Sequence, residues 1–271
     1  MSNSPSKGTA LVTGASRGIG AGYADRLAKR GYDLILVARS EGPLKALTAS
    51  LARASGRHIT PIVADLNDKA GLAKVETELK NDPSITMLVN NAGTGSVAPM
   101  LDANIEKMEQ MIALNITALT RLTYAAAPAF VGRGTGTIIN IGSVLGISPE
   151  TFNGVYGATK AYVLAFSHSL QHELAGKGIR VQAVLPGATA TDIWELAGLP
   201  WQKLPPSIVM PVEDMVDAAL VGLDQGELVT IPGLQDGDEW TRFEAARRSI
   251  SHGFGSSAPA SRYRIQVRRS A

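Results

Sequence analysis

Residues 13–20 read Thr13-Gly14-Ala15-Ser16-Arg17-Gly18-Ile19-Gly20, between an apolar run at 9–13 and a helical pattern that starts at Ile19. Glycines in such a place let the backbone turn sharply and approach a pyrophosphate, whose charge the following helix N-terminus stabilises. Strand, glycine-rich turn and helix, in that order, form the context a dinucleotide loop demands. The glycines stand four and six positions after the first, unlike the commonest fingerprint, which places them two and five after it.

The segments flanking this loop repeat its alternation. Runs rich in aliphatic and β-branched residues at 9–13, 33–38, 59–63, 87–90, 137–141, 181–185 and 228–231 alternate with helical stretches at 19–30, 44–54, 72–80, 105–130, 155–176 and 213–223. The strand runs are apolar almost throughout, which burial on both faces requires of a parallel sheet flanked by helices. The sequence therefore predicts a Rossmann-like α/β fold, a doubly wound parallel seven-stranded sheet with helices on both faces, in one domain over residues 1–231. Residues 232–271 form a C-terminal extension, with a further helix expected at 236–249 and a flexible Gly/Ser/Pro/Ala-rich stretch at 253–261.

The 271 residues are ample for a sizeable core, and the absence of cysteine removes disulfides, thiolate metal sites and cysteine nucleophiles. No apolar run approaches the roughly 18 residues of a membrane span, so a cytoplasmic enzyme without membrane partners is expected. Net charge is +2, unevenly placed: seven arginines between Arg242 and Arg269 face Glu244 alone, which leaves the first 240 residues mildly acidic. That basic tail carries no nucleic-acid reader motif, and no nucleic-acid partner is expected. His168 and His172 stand four apart without the order of a metalloprotease motif, so no metal site is assigned.

Tyr156 and Lys160 are one helical turn apart on one face. An ammonium beside a phenol stabilises the phenolate and is expected to pull its pKa down towards working pH. Ser143 ends the fifth strand at the carboxyl edge of the sheet, where open α/β folds bind ligands, and its hydroxyl suits a substrate carbonyl. Leu145, Ile147, Phe152, Trp194, Leu199 and Trp201 are expected to make an apolar substrate pocket, with the stretch from Trp194 to Leu204 as a lid. Ser143, Leu145, Phe152, Tyr156 and Trp194 are the principal substrate-contacting candidates.

Taken together, the glycine loop, Asn90-Asn91-Ala92-Gly93, Asn115, Ser143, Tyr156-Gly157-Ala158-Thr159-Lys160 and Pro186-Gly187 with Thr191 resemble the short-chain dehydrogenase/reductase family over roughly residues 8–231. The resemblance implies hydride transfer between nicotinamide C4 and a carbonyl carbon, with Tyr156 transferring the proton. Lys160 then also holds the nicotinamide ribose, and Asn115 keeps a water in a proton relay. Cofactor contacts are implied for Gly14, Ser16, Arg17, Gly18, Ile19, Gly20, Asn91, Ala92, Gly93, Pro186, Gly187, Thr189 and Thr191, with Asp65 and Leu66 against the adenine. Assembly into a dimer or tetramer, through the helices carrying Asn115 and Tyr156, is implied as well. The cofactor is expected to be NADP: the second strand ends in Ala38-Arg39, with alanine where NAD-specific members place aspartate, and Arg39 and Arg17 offer cations to a 2′-phosphate. These readings point to a reductase of hydrophobic ketones or keto esters. The alternatives are an alcohol dehydrogenase working in oxidation, and a non-catalytic dinucleotide sensor acting through its basic tail, against which the intact Ser143, Tyr156 and Lys160 argue.

Overall fold

The computed structural model describes residues 6–151 and 154–263. Among them seven parallel strands form one sheet: β1 (Thr9–Thr13), β2 (Asp33–Ala38), β3 (Ile59–Val63), β4 (Ile85–Asn90), β5 (Gly136–Ile141), β6 (Ile179–Val184) and β7 (Val229–Thr230). Their order is β3-β2-β1-β4-β5-β6-β7, so the chain reverses direction between β1 and β4, and the loops leaving those strands diverge. Alternate strand residues feed two cores. Ala10, Val12, Leu34 and Leu36 pack with Tyr23 and Leu27 of α1 (Gly18–Lys29), Leu44 of α2 (Glu41–Ser55) and, later in the chain, Met215 and Leu220. Leu11, Ile35, Leu88 and Ile138 face the opposite way. They meet Val75 of α3 (Lys69–Asn81), together with Leu122 and Phe130 from the helices between β4 and β5.

The expected helix at 105–130 is divided. It consists of α4 (Ile105–Ile112), a π-helical turn (Ala113–Ala118) and α5 (Leu119–Arg133). The wider turn rotates Asn115 inward, where it is 2% exposed. Helix α2 begins at Glu41, earlier than its apolar pattern suggests, because Pro43 falls in the first turn, where no intrahelical N–H bond is lost. β4 begins at Ile85, which pairs with Thr9. The remaining helices are α6 (Gly154–Leu174), α7 (Ile193–Ala197), α8 (Val212–Asp224) and α9 (Gly237–Ser251).

The chain separates into two compact units, up to Gly233 and from Leu234 onward. The second contains α9, capped by the Asp236 carboxylate, which accepts from the Asp238 N–H at 2.9 Å. On that helix Trp240 stacks on Phe243, and Glu244 receives both Nε and Nη2 of Arg247 at 2.8 Å.

Phe130 explains why β5 starts with glycine: its ring occupies the space that any side chain at Gly136 would fill. It is fully buried. Phe130→Ala is expected to cost about 3–5 kcal/mol of stability through lost burial and an unfilled cavity. A lower urea midpoint with unchanged slope would show it.

Candidate active site

Four loops meet at the carboxyl ends of the strands and enclose a cleft of about 520 Å³. The loop after β1 contributes Gly14, Arg17, Gly18 and Ile19. Gly14 and Gly18 both adopt left-handed backbone (φ 65° and 54°), which a side chain would strain. Gly18 also passes close to Thr191, whose Cγ2 would lie 3.1 Å from a Cβ added there. After β4, Asn91, Ala92 and Gly93 form the next wall. After β6 come Pro186, Gly187, Thr189 and Thr191.

A hydrogen-bonded knot fixes the first two loops to each other. The Thr13 hydroxyl accepts the backbone N–H groups of Asn91 and Ala92, each at 3.0 Å, and the Asn91 side-chain amide donates to the Thr13 carbonyl at 2.9 Å. Gly20 serves packing here and does not line the cleft, because a side chain on it would run into the Gly14 carbonyl oxygen. Ser16 also lies outside the lining.

Ser143, Tyr156 and Lys160 converge in the cleft beside Gly95 and Val97. Ser143 accepts the Leu145 N–H at 3.2 Å, which orients its hydroxyl. The Lys160 ammonium donates to the Ile141 carbonyl at 3.0 Å and stands 5.7 Å from the Tyr156 ring centre. Burial pulls the Lys160 pKa down to about 8. Burial pushes the Tyr156 phenol up, opposed by a hydrogen bond with Ser143. The expectation that Lys160 lowers the phenol pKa is thus corrected. The ammonium donates to a backbone carbonyl, and burial of the phenol sets the direction of the shift.

Asn115 stands behind the cleft and not in its lining. Both of its amide N–H groups are used, towards the Thr94 carbonyl at 2.9 Å and the Thr159 hydroxyl at 3.1 Å, while its Oδ1 accepts the Thr94 N–H at 3.0 Å. In this arrangement its side chain clamps a loop, with both amide N–H groups engaged.

On the substrate side, Leu145 and Trp194 line the cleft, and Trp194 Nε1 donates to the Thr189 carbonyl at 3.0 Å. Ile147, Leu199 and Trp201 do not line it; Trp201 instead borders a separate groove with Pro206 and Val212. Proximity in sequence misjudged them: after α7 the chain returns to the cleft at Leu204 and Ile208 but not at Leu199 or Trp201. Phe152 falls outside the described residues. Leu196, within the expected lid stretch, lines the cleft, and Val97 and Ile208 are walls that sequence reasoning missed. Val97 follows the Asn-Asn-Ala-Gly turn closely enough to have been suspected, whereas nothing local marks Ile208.

At the other end, Arg39 and Asp65 lie beyond the lining, 3.8 Å apart. Leu66 is a core residue, 6% exposed. Arg17 approaches Asp192 at 3.4 Å. Glu41, the nearby acid, is held by Lys45 one turn on at 2.6 Å. A phosphorylated dinucleotide fits these residues. No acidic residue occupies the first turn of α1, and β2 ends in alanine. A Cβ on Gly187 would meet nothing within 4 Å, so open space remains beside that glycine.

The short chain dehydrogenase family pattern matches residues 8–198. An uncharacterized oxidoreductase of Staphylococcus epidermidis is 31% identical over 226 residues, 82% of this chain and 93% of that protein. Among solved structures, a short-chain dehydrogenase from Sphingobium yanoikuyae in complex with NADPH is 49% identical with a TM-score of 0.92, covering 94% of this chain and 99% of that one. The bulky-bulky ketone specific alcohol dehydrogenase from Comamonas testosteroni is 44% identical with a TM-score of 0.87, covering 94% and 98%. Coverage this high reaches past Gly233, so part of the second unit has a counterpart in both.

Lys160 supplies a test by pH. Its proton leaves more easily in the fold than in the unfolded chain, so unfolding takes up a proton between about pH 8 and the ordinary lysine value. Stability then rises with pH through that window. Between about pH 7.5 and 9.5 the wild type is expected to gain on the order of 2 kcal/mol relative to Lys160→Met, read from urea midpoints.

Proposed function

This chain belongs to the short chain dehydrogenase family, and within it we propose an NADPH-dependent reductase of hydrophobic ketones and keto esters. The observation that carries this reading is the convergence of Ser143, Tyr156 and Lys160 on one cleft with apolar walls, beside the glycine loop. When bound, the dinucleotide supplies a hydride to the carbonyl carbon. The residues of this chain do the rest. The Ser143 hydroxyl donates to the substrate oxygen and polarises the carbonyl. Tyr156 gives that oxygen its phenolic proton, which completes the alcohol and leaves a phenolate to be reprotonated from solvent. Lys160 holds α6 to the end of β5 and offers its ammonium to the ribose. Asn115 holds the loop that faces Tyr156.

Burial supports the reductive direction. In water a lysine ammonium and a phenol lose their protons at similar pH, but here burial moves Lys160 down and Tyr156 up. The phenol therefore enters the reaction protonated, as an acid must. Apolar walls from Val97, Leu145, Trp194 and Leu196 favour hydrophobic substituents over polar sugars. The Comamonas enzyme's specificity for bulky-bulky ketones is consistent with that preference. NADP follows from Arg17 and Arg39, with no carboxylate at Ala38 to bind ribose hydroxyls. The bound NADPH of the Sphingobium relative agrees with it. Assembly into a dimer or tetramer, through the face where Tyr124 stacks on Phe166 and Phe166 on Tyr162, and residence in the cytoplasm complete the reading.

The decisive experiment follows NADPH oxidation over a ketone panel. Tyr156→Phe is expected to lower kcat by about 10²–10⁴-fold while NADPH binding, measured by fluorescence, stays near wild type. Activity retained by that variant would remove Tyr156 from the acid role. Arg39→Asp is expected to weaken NADPH far more than NADH, and equal kcat/KM for the two cofactors in the wild type would end the NADP assignment.

A further inference from the structure

We propose that Gly95 determines substrate specificity: by leaving one flank of the Tyr156 ring bare, it lets the enzyme accept ketones whose two substituents are both large. The inference rests on the ketone-reductase reading and names the residue that sets its substrate class.

Gly95 lies in the loop after β4, and that loop is pinned on both sides of it. Thr94 is held through both of its backbone groups by the buried Asn115, and the Val97 N–H donates to the Ala197 carbonyl of α7 at 3.2 Å. The segment between these two anchors has little freedom to retreat. A Cβ placed on Gly95 would stand 3.4 Å from Cε2, 3.5 Å from Cδ2 and 3.8 Å from Cζ of Tyr156. Cζ is the carbon that bears the phenolic oxygen.

Those distances are ordinary van der Waals contact, so alanine fits without strain, while any larger side chain extends into the cleft alongside the phenol. A carbonyl that takes its proton from Tyr156 must bring one of its substituents into the same space. Gly93, two residues earlier, is different in kind. A Cβ there would crowd Asn115 Oδ1 at 3.2 Å, so its smallness serves packing against the clamp. The space at Gly95 lies against the Tyr156 ring, and Val97 and Leu196, which line the same cleft, supply apolar surface for a large group.

The test is the ratio of kcat/KM for a ketone with two large substituents, such as 1-phenylpentan-1-one, to that for its methyl counterpart, acetophenone. It is measured with NADPH in the full-length wild type, Gly95→Ala and Gly95→Val. The ratio is expected to fall stepwise, by about tenfold or more at valine, since each misplaced methyl in a shaped pocket is worth roughly that factor. Alanine, which fits the fold, keeps the test valid if the valine protein is unstable. An unchanged ratio in both variants, or an equal loss of both substrates, would overturn the inference and leave the reductase reading standing. If the wild type reduced neither ketone, the reductase reading would fall and this inference with it.

Discussion

The bond set between Thr13 and Asn91 is the constraint on which the site depends. β1 and β4 are neighbours whose outgoing loops part in opposite directions, and the cleft exists because they part. Left alone, two diverging loops would carry unsatisfied amides at the place where the sheet offers no further partner. One threonine hydroxyl takes two of those amides, and the asparagine side chain returns a bond to the carbonyls of Thr13 and Gly14 at 2.9 and 3.3 Å. The glycine loop and the wall after β4 are thereby fixed relative to each other. Two walls of the cleft built on separate strands thus acquire a common frame.

The second half of the cleft is tied by different means. Lys160 reaches from α6 to the Ile141 carbonyl at the end of β5, so the helix that carries Tyr156 is anchored to the strand that leads into Ser143. Asn115 reaches from the π-helical turn to Thr94 and to Thr159, which is next to Lys160 in the chain. Each of these polar side chains is almost completely buried and bonded. Satisfied buried networks of this kind rigidify a site, and a missing partner would be expensive in the same low-dielectric surroundings. The price of that rigidity appears in the proton affinities: a group withdrawn from water to hold geometry also has its charged form disfavoured.

What could be read from the sequence follows from how local each cause is. The seven strands were legible because burial on both faces leaves continuous apolar runs, and their register follows from the neighbouring strands. The glycine loop, Ser143, Tyr156 and Lys160 were legible because spacing along a turn or helix places them without knowledge of the rest. The π-helical turn at 113–118 was not, since one extra residue per turn leaves no mark on an apolar pattern that continues on either side. The wall Ile208 was also hidden, because it depends on where a long excursion after β6 returns. It closes through a backbone pairing of Thr189 with Met210 that no local rule announces. The pKa of Tyr156 was misjudged for a related reason. Helical spacing establishes that Lys160 is near, but which acceptor its ammonium chooses is decided by the end of β5.

The two arginines proposed for the 2′-phosphate, Arg17 in the cleft lining and Arg39 beyond it, would favour a charged ligand without a buried charge. Arg17 and Arg39 are both largely exposed, and each stands near one carboxylate, Asp192 at 3.4 Å and Asp65 at 3.8 Å. Exposed pairs at such distances contribute little in water, so a guanidinium loses little by turning from its carboxylate to a phosphate. A phosphate also offers planar bidentate acceptance and more charge than the carboxylate it displaces. Selectivity at this end then depends less on the strength of either arginine contact than on what β2 omits. With alanine at its end and Glu41 held by Lys45, β2 places no carboxylate of its own to repel a phosphate or to bind a bare ribose. The arginines keep their carboxylate neighbours until a ligand with greater charge density arrives, and the fold itself does not have to change.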